Sequence, residues 1–360
     1  MAAQFHRLIV SDVRRETADA VSIAFAVPAD IAGDYRFHPG QHLTLKVANG
    51  GGEVRRSYSI CSGLNEGELR IAVKRVESGV FSCFINDTLK SGDEIDVMTP
   101  QGRFGITPDP SAARTYLAIA AGSGITPIMS IIRSVLAQEQ HSRFVLLYGN
   151  RTQAGIIFKD ALDDLKDRFL QRLTVHHVLS REPQEVELLH GRIDAAKIAT
   201  ILRAIVPVDA VDQVFLCGPG GLIEEGRAVL AGIGVATERI HAEYFSVDGS
   251  PVTTRVVVQP ETGPAQTPIA QAHITLYGAE HDIAIFEGET VVDAGLRAGL
   301  EMPYSCRGGM CCTCRAMLTE GDVAMDQNYS LEPWEMEAGF VLTCQARPMT
   351  AKVALDYDQV

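Results

Sequence analysis

Four cysteines constrain this chain more than anything else in it. Cys306, Cys311 and Cys314 stand at x4 and x2 spacing in Cys306-Arg307-Gly308-Gly309-Met310-Cys311-Cys312-Thr313-Cys314, and Cys344 follows far downstream. This is the spacing of thiolates that hold a [2Fe–2S] cluster. Each iron takes a tetrahedron of sulfur. Two bridging sulfides supply half of it, and the protein supplies two cysteines per iron. Such a loop bends sharply and brings backbone N–H groups to sulfur, which Gly308 and Gly309 permit. Those contacts help set a potential that is typically about −400 mV. A zinc site would pair two knuckles or recruit histidine, and no histidine lies between Cys306 and Cys344. Disulfides suit small secreted scaffolds, not a chain of 360 residues. Cys312 permits a second register, Cys306-x5-Cys312-x-Cys314. The x4/x2 spacing favours Cys311 and leaves open whether Cys312 can replace it.

The length allows two or three domains. A hydrophobic share of 46% and a charged share of 21% describe a globular chain. A net charge of −13 argues against a nucleic-acid partner. The charge is uneven: residues 272–360 hold 14 Asp and Glu against 5 Lys and Arg. An acidic module around a redox centre suits docking to a basic face of an acceptor, and solvated surface accounts for it equally well. No signal-peptide pattern opens the chain. The most apolar run, Thr115–Ala137, is broken by Gly122-Ser123-Gly124, Thr126-Pro127 and Arg133, so it reads as strand, turn and helix, with no membrane span. Eight cysteines without a secretory signal imply a reducing cytoplasm. Cys61 and Cys83 read as small buried hydrophobes.

Residues 1–108 carry six short β-patterned runs, at His6–Val13, Val21–Val27, His42–Val47, Val54–Ile60, Leu69–Val76 and Glu94–Met98. Turn signals such as Pro39-Gly40, Asn49-Gly50-Gly51-Gly52 and Ser91-Gly92-Asp93 separate them. The pattern predicts an antiparallel β-barrel with one helix over Val80–Leu89. Alternation puts Arg56 and Tyr58 of Arg56-Ser57-Tyr58-Ser59 on one strand face, where a guanidinium and a ring can hold a pyrophosphate and cover an aromatic cofactor. Gly79-Val80-Phe81-Ser82 opens the helix, and its backbone N–H groups plus a hydroxyl suit a phosphate.

Residues 109–245 alternate strands with helices, which predicts an α/β domain on a parallel sheet with ligands at the carboxyl ends of its strands. Gly122-Ser123-Gly124-Ile125-Thr126-Pro127 follows the first strand. Its glycines would admit a pyrophosphate, Thr126 would cap the helix, and Pro127 would take its first position. Tyr148-Gly149-Asn150-Arg151 ends the second strand. Ser180-Arg181 ends the third, where hydroxyl and guanidinium suit the 2′-phosphate of NADPH. Cys217-Gly218-Pro219 ends the fourth, and a Gly-Pro turn there would expose the thiol. His241-Ala242-Glu243-Tyr244-Phe245 closes the domain. Residues 246–271, which contain Pro251, Pro260, Gly263, Pro264 and Pro268, read as a linker. Residues 272–360 give strands, a helix over Val291–Leu300, the cysteine loop and a short helix near Trp334. The lone Trp334 reads as helix packing.

Arg56-x-Tyr58-Ser59 with Gly79-x-x-Ser82 resembles the FAD domain of the ferredoxin–NADP reductase superfamily. Gly122-x-Gly124-x-x-Pro127 and Cys217-Gly218-Pro219 are similar to that superfamily's nucleotide motifs. The last domain looks like a plant-type ferredoxin of α+β β-grasp fold, a likeness shared by Tyr304-Ser305. The resemblance implies that Arg56 and Ser82 bind the FAD pyrophosphate and that Tyr58 packs on the flavin. It puts Ser59 near the hydride-accepting nitrogen, with Val73 and Lys74 bordering the cofactor. It places Cys217 near the nicotinamide and Phe245, or else Tyr244, stacked on the flavin, while Glu243 and Ser59 only orient groups. The order of the parts resembles the reductase components of multicomponent oxygenases, and in particular the reductases of phenylacetyl-CoA epoxidase complexes. The implied reaction takes hydride from NADPH, or from NADH, to FAD and then passes single electrons through the [2Fe–2S] cluster to a terminal oxygenase. Two alternatives are a reductase for another oxygenase, of Rieske or ketosteroid type, and a non-enzymatic ferredoxin-type carrier.

Overall fold

The computed structural model describes residues 3–49, 52–205, 210–246 and 267–359. Most of the expected linker, 247–266, lies outside them, as do Gly50 and Gly51 of one expected turn. The chain divides into two compact units, one of Arg7–Leu43 and Tyr58–Gly249, the other of Met1–His6, Thr44–Ser57 and Ser250–Val360.

The first sheet holds β1 (Phe5–Thr17), β2 (Ala20–Ala26), β3 (His42–Asn49), β4 (Gly52–Ser59), β5 (Leu69–Lys74) and β6 (Glu94–Met98), in the order β4-β3-β6-β1-β2-β5. β2 runs antiparallel to both β1 and β5. An antiparallel bridge from Ile60, just past β4, to Ile71 of β5 joins the two edge strands. Joining them removes exposed edges and makes the sheet barrel-like. Leu8, Val10, Ile23 and Ile71 are fully buried along these strands. Helix α1 (Val80–Asp87) connects β5 to β6.

The second sheet holds β7 (Thr115–Ala121), β8 (Arg143–Asn150), β9 (Leu173–Leu179), β10 (Gln213–Pro219) and β11 (Ile240–Ser246), in the order β11-β10-β7-β8-β9, every pair parallel. Strands buried on both faces need continuous apolar runs, and Tyr116 to Ala120 are all buried. Helices α2 (Ile125–Gln138), α3 (Lys159–Arg168), α4 (Ala195–Ile205) and α5 (Gly220–Gly232) cover the sheet. The strand order reverses between β7 and β10, which is where ligands of such sheets bind. This sheet and the barrel share one core: Cys61, Ala72 and Phe104 pack with Tyr116, Ile128, Phe144 and Cys217. Polar contacts pin the join, with the Ser130 hydroxyl donating to the Ser62 carbonyl at 2.7 Å and the Leu64 N–H donating to the Ser134 hydroxyl at 3.1 Å.

The last domain has a mixed sheet of β12 (Ala270–Leu276), β13 (Ala279–Ile285), β14 (Arg315–Glu320), β16 (Phe340–Leu342) and β18 (Lys352–Asp356), in the order β13-β12-β18-β14-β16. The central pair β12 and β18 is parallel and the others are antiparallel. A small second pair, β15 (Val323–Met325) with β17 (Ala346–Pro348), was not foreseen from sequence. Helix α6 (Val291–Arg297) opens on a capping box of Thr290 and Asp293 and stops before Gly299, whose φ is +83°, short of the expected Leu300. Helix α7 (Pro333–Glu337) leaves Trp334 52% exposed. Cys83 is also less buried than expected, while Cys61 is fully buried.

Candidate redox sites

The four expected cluster cysteines converge. Cys314 leaves the loop at the start of β14, and Cys344 lies in the turn between β16 and β17. The Thr343 N–H donates to the Cys314 carbonyl at 3.0 Å and its hydroxyl at 2.7 Å, which brings the two cysteines together. The thiols face one another as two pairs, Cys306 with Cys311 and Cys314 with Cys344. Among the described residues no group of three His, Cys, Asp or Glu converges to hold a single metal ion. Two pairs match the two thiolates per iron that a pair of irons bridged by sulfide requires. The hydrogen bond from Cys311 holds the Cys306 thiol below its usual pKa against the effect of burial. The Gly308 and Met310 N–H groups donate to the Cys306 sulfur at 3.3 and 3.4 Å. Gly309, at φ +73°, has no room for a side chain: a Cβ would stand 2.9 Å from the Gln327 carbonyl oxygen. The donor set and the amide contacts fit a [2Fe–2S] cluster.

Cys312 behaves differently. Its backbone is left-handed, φ +52°. Its thiol bonds to Ser330, and burial raises its pKa to about 12. The geometry therefore groups Cys311, and not Cys312, with the other three.

On β4, Arg56 is half-buried and its Nη1 donates to the Arg55 carbonyl at 2.7 Å. The Tyr58 ring lies 5.9 Å from that of Phe81 in α1, tilted by 42°. Val73 is buried, and Lys74 is half-buried with its Nζ 3.5 Å from Asp19. Gly79 caps α1, and a Cβ there would stand 2.6 Å from the Ser82 hydroxyl. That hydroxyl is engaged with its own loop: it accepts from the Val76 N–H at 3.0 Å and donates to the Gly79 carbonyl at 3.3 Å. At this helix start the backbone amides of Val80 and Phe81 are the groups without intrahelical acceptors, and they suit an anion.

Gly122, at φ +54°, starts the turn after β7, and the helix begins at Ile125, earlier than expected. Pro127 is therefore the third helical residue, tolerated because the first turn needs no N–H donors. Thr126 is not the cap; it is buried within the helix and donates to the Ser123 carbonyl at 3.0 Å. A Cβ on Gly124 would stand 2.2 Å from the Cys217 carbonyl oxygen. This glycine lets the two motifs at the ends of β7 and β10 abut, a reason different from the expected approach of a pyrophosphate. Gly218 has φ +155°, and Pro219 leads into α5. At the ends of β8 and β9, Arg151 and Arg181 are exposed neighbours: the Arg181 N–H donates to the Arg151 carbonyl at 2.8 Å, and Ser180 to Asn150 at 2.9 Å.

Ser59, Cys217 and Glu243 come together from β4, β10 and β11. The Ser59 hydroxyl donates to Glu243 Oε2 at 3.4 Å, and the Cys217 thiol lies 4.0 Å from the same oxygen. Burial, then the carboxylate, push the Cys217 thiol well above its usual pKa. It is fully buried, contrary to the expected exposure. Phe245 packs on the core that contains Cys217, whereas Tyr244 packs on the opposite face. Sequence reasoning passed over Glu53 and Arg55. The signal available was a second arginine directly before Arg56, which alternation turns to the other strand face.

Family profiles match three stretches of the chain: an oxidoreductase FAD-binding domain over residues 7–106, an oxidoreductase NAD-binding domain over 118–227 and a 2Fe-2S iron-sulfur cluster binding domain over 274–349. The chain is 43% identical to a subunit of the 1,2-phenylacetyl-CoA epoxidase of Escherichia coli (strain K12), over 98% of each chain. It is 37% identical to the ferredoxin reductase component of the 3-ketosteroid-9-alpha-monooxygenase of Mycolicibacterium smegmatis, over 98% of this chain and 97% of that one. In fold it is similar to a phthalate dioxygenase reductase, with a TM-score of 0.58 at 23% identity, covering 98% of each. The three modules in this order, together with full-length relatives of this identity, show that the chain belongs to the family of FAD- and NAD(P)H-binding, [2Fe–2S]-containing reductases that are the electron-transfer components of oxygenases.

Proposed function

We propose that this chain is the NADPH-dependent reductase of a phenylacetyl-CoA epoxidase complex in aerobic phenylacetate degradation, feeding electrons to the oxygenase component. The likeness to the E. coli epoxidase protein along the full length carries this reading. FAD, when bound, supplies the conversion of a hydride into single electrons, and the cluster supplies a one-electron relay. The chain's own residues hold and orient. Arg56, Ser82 and the turn from Gly79, with the amides of Val80 and Phe81, grip the FAD pyrophosphate, Tyr58 packs on the ring system, and Val73 and Lys74 border it. Gly122, Gly124, Thr126 and Pro127 shape the turn that receives the nucleotide. Arg151, Ser180 and Arg181 take its 2′-phosphate. Cys217, Gly218 and Pro219 border the nicotinamide, Glu243 and Ser59 orient it, and Phe245 covers the flavin until the nucleotide arrives. Cys306, Cys311, Cys314 and Cys344 ligate the cluster.

The reading places the protein in the cytoplasm, in keeping with its free thiols. Among the described residues no helix is long and apolar enough to cross a membrane. A second reading, service to a 3-ketosteroid monooxygenase, draws on the relatives of that name. The test is an anaerobic titration of the holoprotein with NADPH and then NADH, followed by turnover with purified phenylacetyl-CoA epoxidase oxygenase or ketosteroid oxygenase. Flavin bleaching, a reduced [2Fe–2S] resonance and epoxidase turnover are the expected results. Turnover only with the ketosteroid oxygenase would favour the second reading, and no response from either centre would overturn both.

A further inference from the structure

The strand segment Thr44–Ser57 belongs to the same compact unit as the cluster domain. Within that unit Arg55 of β4 is a buried cation, with 3% of its side chain exposed. Its Nε and Nη2 meet Glu53 Oε1 at 2.7 and 2.6 Å. Its Nη1 donates to the Met302 carbonyl at 3.1 Å, across 247 residues of sequence. The guanidinium carbon lies 4.3 Å from the centre of the Tyr304 ring and 4.9 Å from that of Phe5. The Tyr304 hydroxyl closes the arrangement by donating to Glu53 Oε1 at 3.2 Å. Arg307 packs over the Tyr304 ring at 4.7 Å, and its Nη1 donates to Asp293 of α6 at 2.8 Å. Its carbonyl accepts from the side chain of Gln345, the neighbour of Cys344, at 2.8 Å.

A buried guanidinium needs fixed partners. Here they come from β4 itself and from the segment entering the cysteine loop. Met302 and Tyr304 precede Cys306 by four and two residues. On the other side, the carbonyl of Arg55 accepts from Arg56, the first residue of the flavin motif. Lysine could not reproduce this arrangement, because the contacts use a planar fork and a stacking face at once.

We propose that Arg55 is a positioning residue for electron delivery: with Glu53 and Tyr304 it clamps the segment leading into the cluster loop onto β4, inside the unit that holds both, and so fixes the conformation of that loop. The proposal rests on reading Arg56 to Ser59 as the flavin-binding strand and Cys306 as a ligand. A loop held in one conformation lets its cluster take up an electron with little rearrangement, so loosening the clamp slows delivery to the cluster and leaves the nucleotide half-reaction alone.

The test uses the holoprotein and the variants Arg55→Leu, Arg55→Lys and Tyr304→Phe, with two readouts. Stopped-flow absorbance separates flavin reduction by NADPH from the cluster reduction that follows. Hydrogen–deuterium exchange of the oxidised protein follows residues 300–308. In Arg55→Leu, flavin reduction should stay near wild type while cluster reduction slows about tenfold, a barrier change of about 1.4 kcal/mol. Exchange over 300–308 should rise about tenfold while α6 and β12 stay protected. Arg55→Lys should not restore either property, and Tyr304→Phe should show the same pattern at smaller size, which serves if the leucine variant fails to fold. Unchanged exchange over 300–308, or a loss of protection across the whole domain, would overturn the clamp. If NADPH and NADH fail to reduce the wild-type flavin, the functional reading falls, and the exchange readout still decides the clamp.

Discussion

The Glu243 carboxylate accepts a hydrogen bond from the Ser59 hydroxyl at 3.4 Å and lies 4.0 Å from the Cys217 thiol. Ser59 is 184 residues from Glu243 in sequence, and it comes from β4 of the first sheet while Glu243 lies on β11 of the parallel sheet. A hydride transfer needs no proton acceptor, so under the proposed function this carboxylate has only an orienting role. Losing one hydrogen bond to a charged group costs about 1.5 kcal/mol, or about tenfold in rate. We expect Ser59→Ala to slow flavin reduction by NADPH about tenfold, and Glu243→Gln, which keeps an acceptor, to slow it less. Stopped-flow bleaching of the flavin band measures both. Equal rates in all three proteins would assign the pair to packing alone.

Arg151 and Arg181 end adjacent parallel strands and are both exposed. A phosphate between two guanidiniums would gain charge-assisted, forked hydrogen bonds. The Glu182 carboxylate beside them is already engaged by the Gln153 N–H at 2.7 Å. Arg181→Ala should raise the KM for NADPH by about tenfold or more and leave that for NADH near wild type. Steady-state ferricyanide reduction with each nucleotide reads the difference. Equal effects on both would remove the 2′-phosphate role.

The cysteine spacing and the two strand periodicities were legible because each reports a local rule: ligand reach for the loop, and one- or two-faced burial for the strands. What the sequence hid was tertiary. Gly124 reads as part of a phosphate turn, but its missing Cβ is required by the Cys217 carbonyl of a strand 93 positions away. Ser82 reads as a phosphate hydroxyl, yet its nearest acceptors and donors belong to its own loop. Thr126 reads as a cap because Pro127 usually opens a helix, and the chain instead starts its helix earlier. Arg55 goes unmarked in the sequence, because nothing local announces a carbonyl and a ring supplied 247 and 249 residues later.

Cys311 and Cys312 make a separable pair for mutation. Cys311 faces Cys306, whereas Cys312 turns to Ser330 through its left-handed backbone. Cys312→Ser should retain the visible spectrum and iron content of the cluster. Cys311→Ser should lose most of both, since one iron would keep a single thiolate. If the Cys312 variant loses its iron instead, the second register is the real one.

Acid should destabilise the barrel through His42. This side chain is 3% exposed on β3, and burial lowers its pKa to about 4. The unfolded chain takes up the same proton near pH 6.5, so the folded state is the one that refuses it. Stability from this group is therefore complete above about pH 6.5 and is lost as pH falls toward the folded value, by up to about 3 kcal/mol. His176 and His177, both lowered by burial, add a slope of the same sign. His42→Gln removes one titrating group, so its loss of stability between about pH 7 and pH 5 should be smaller than that of wild type, whatever its absolute stability. Urea unfolding of both proteins at the two pH values gives the comparison, and parallel losses would mean that His42 takes up its proton equally in the folded and unfolded states.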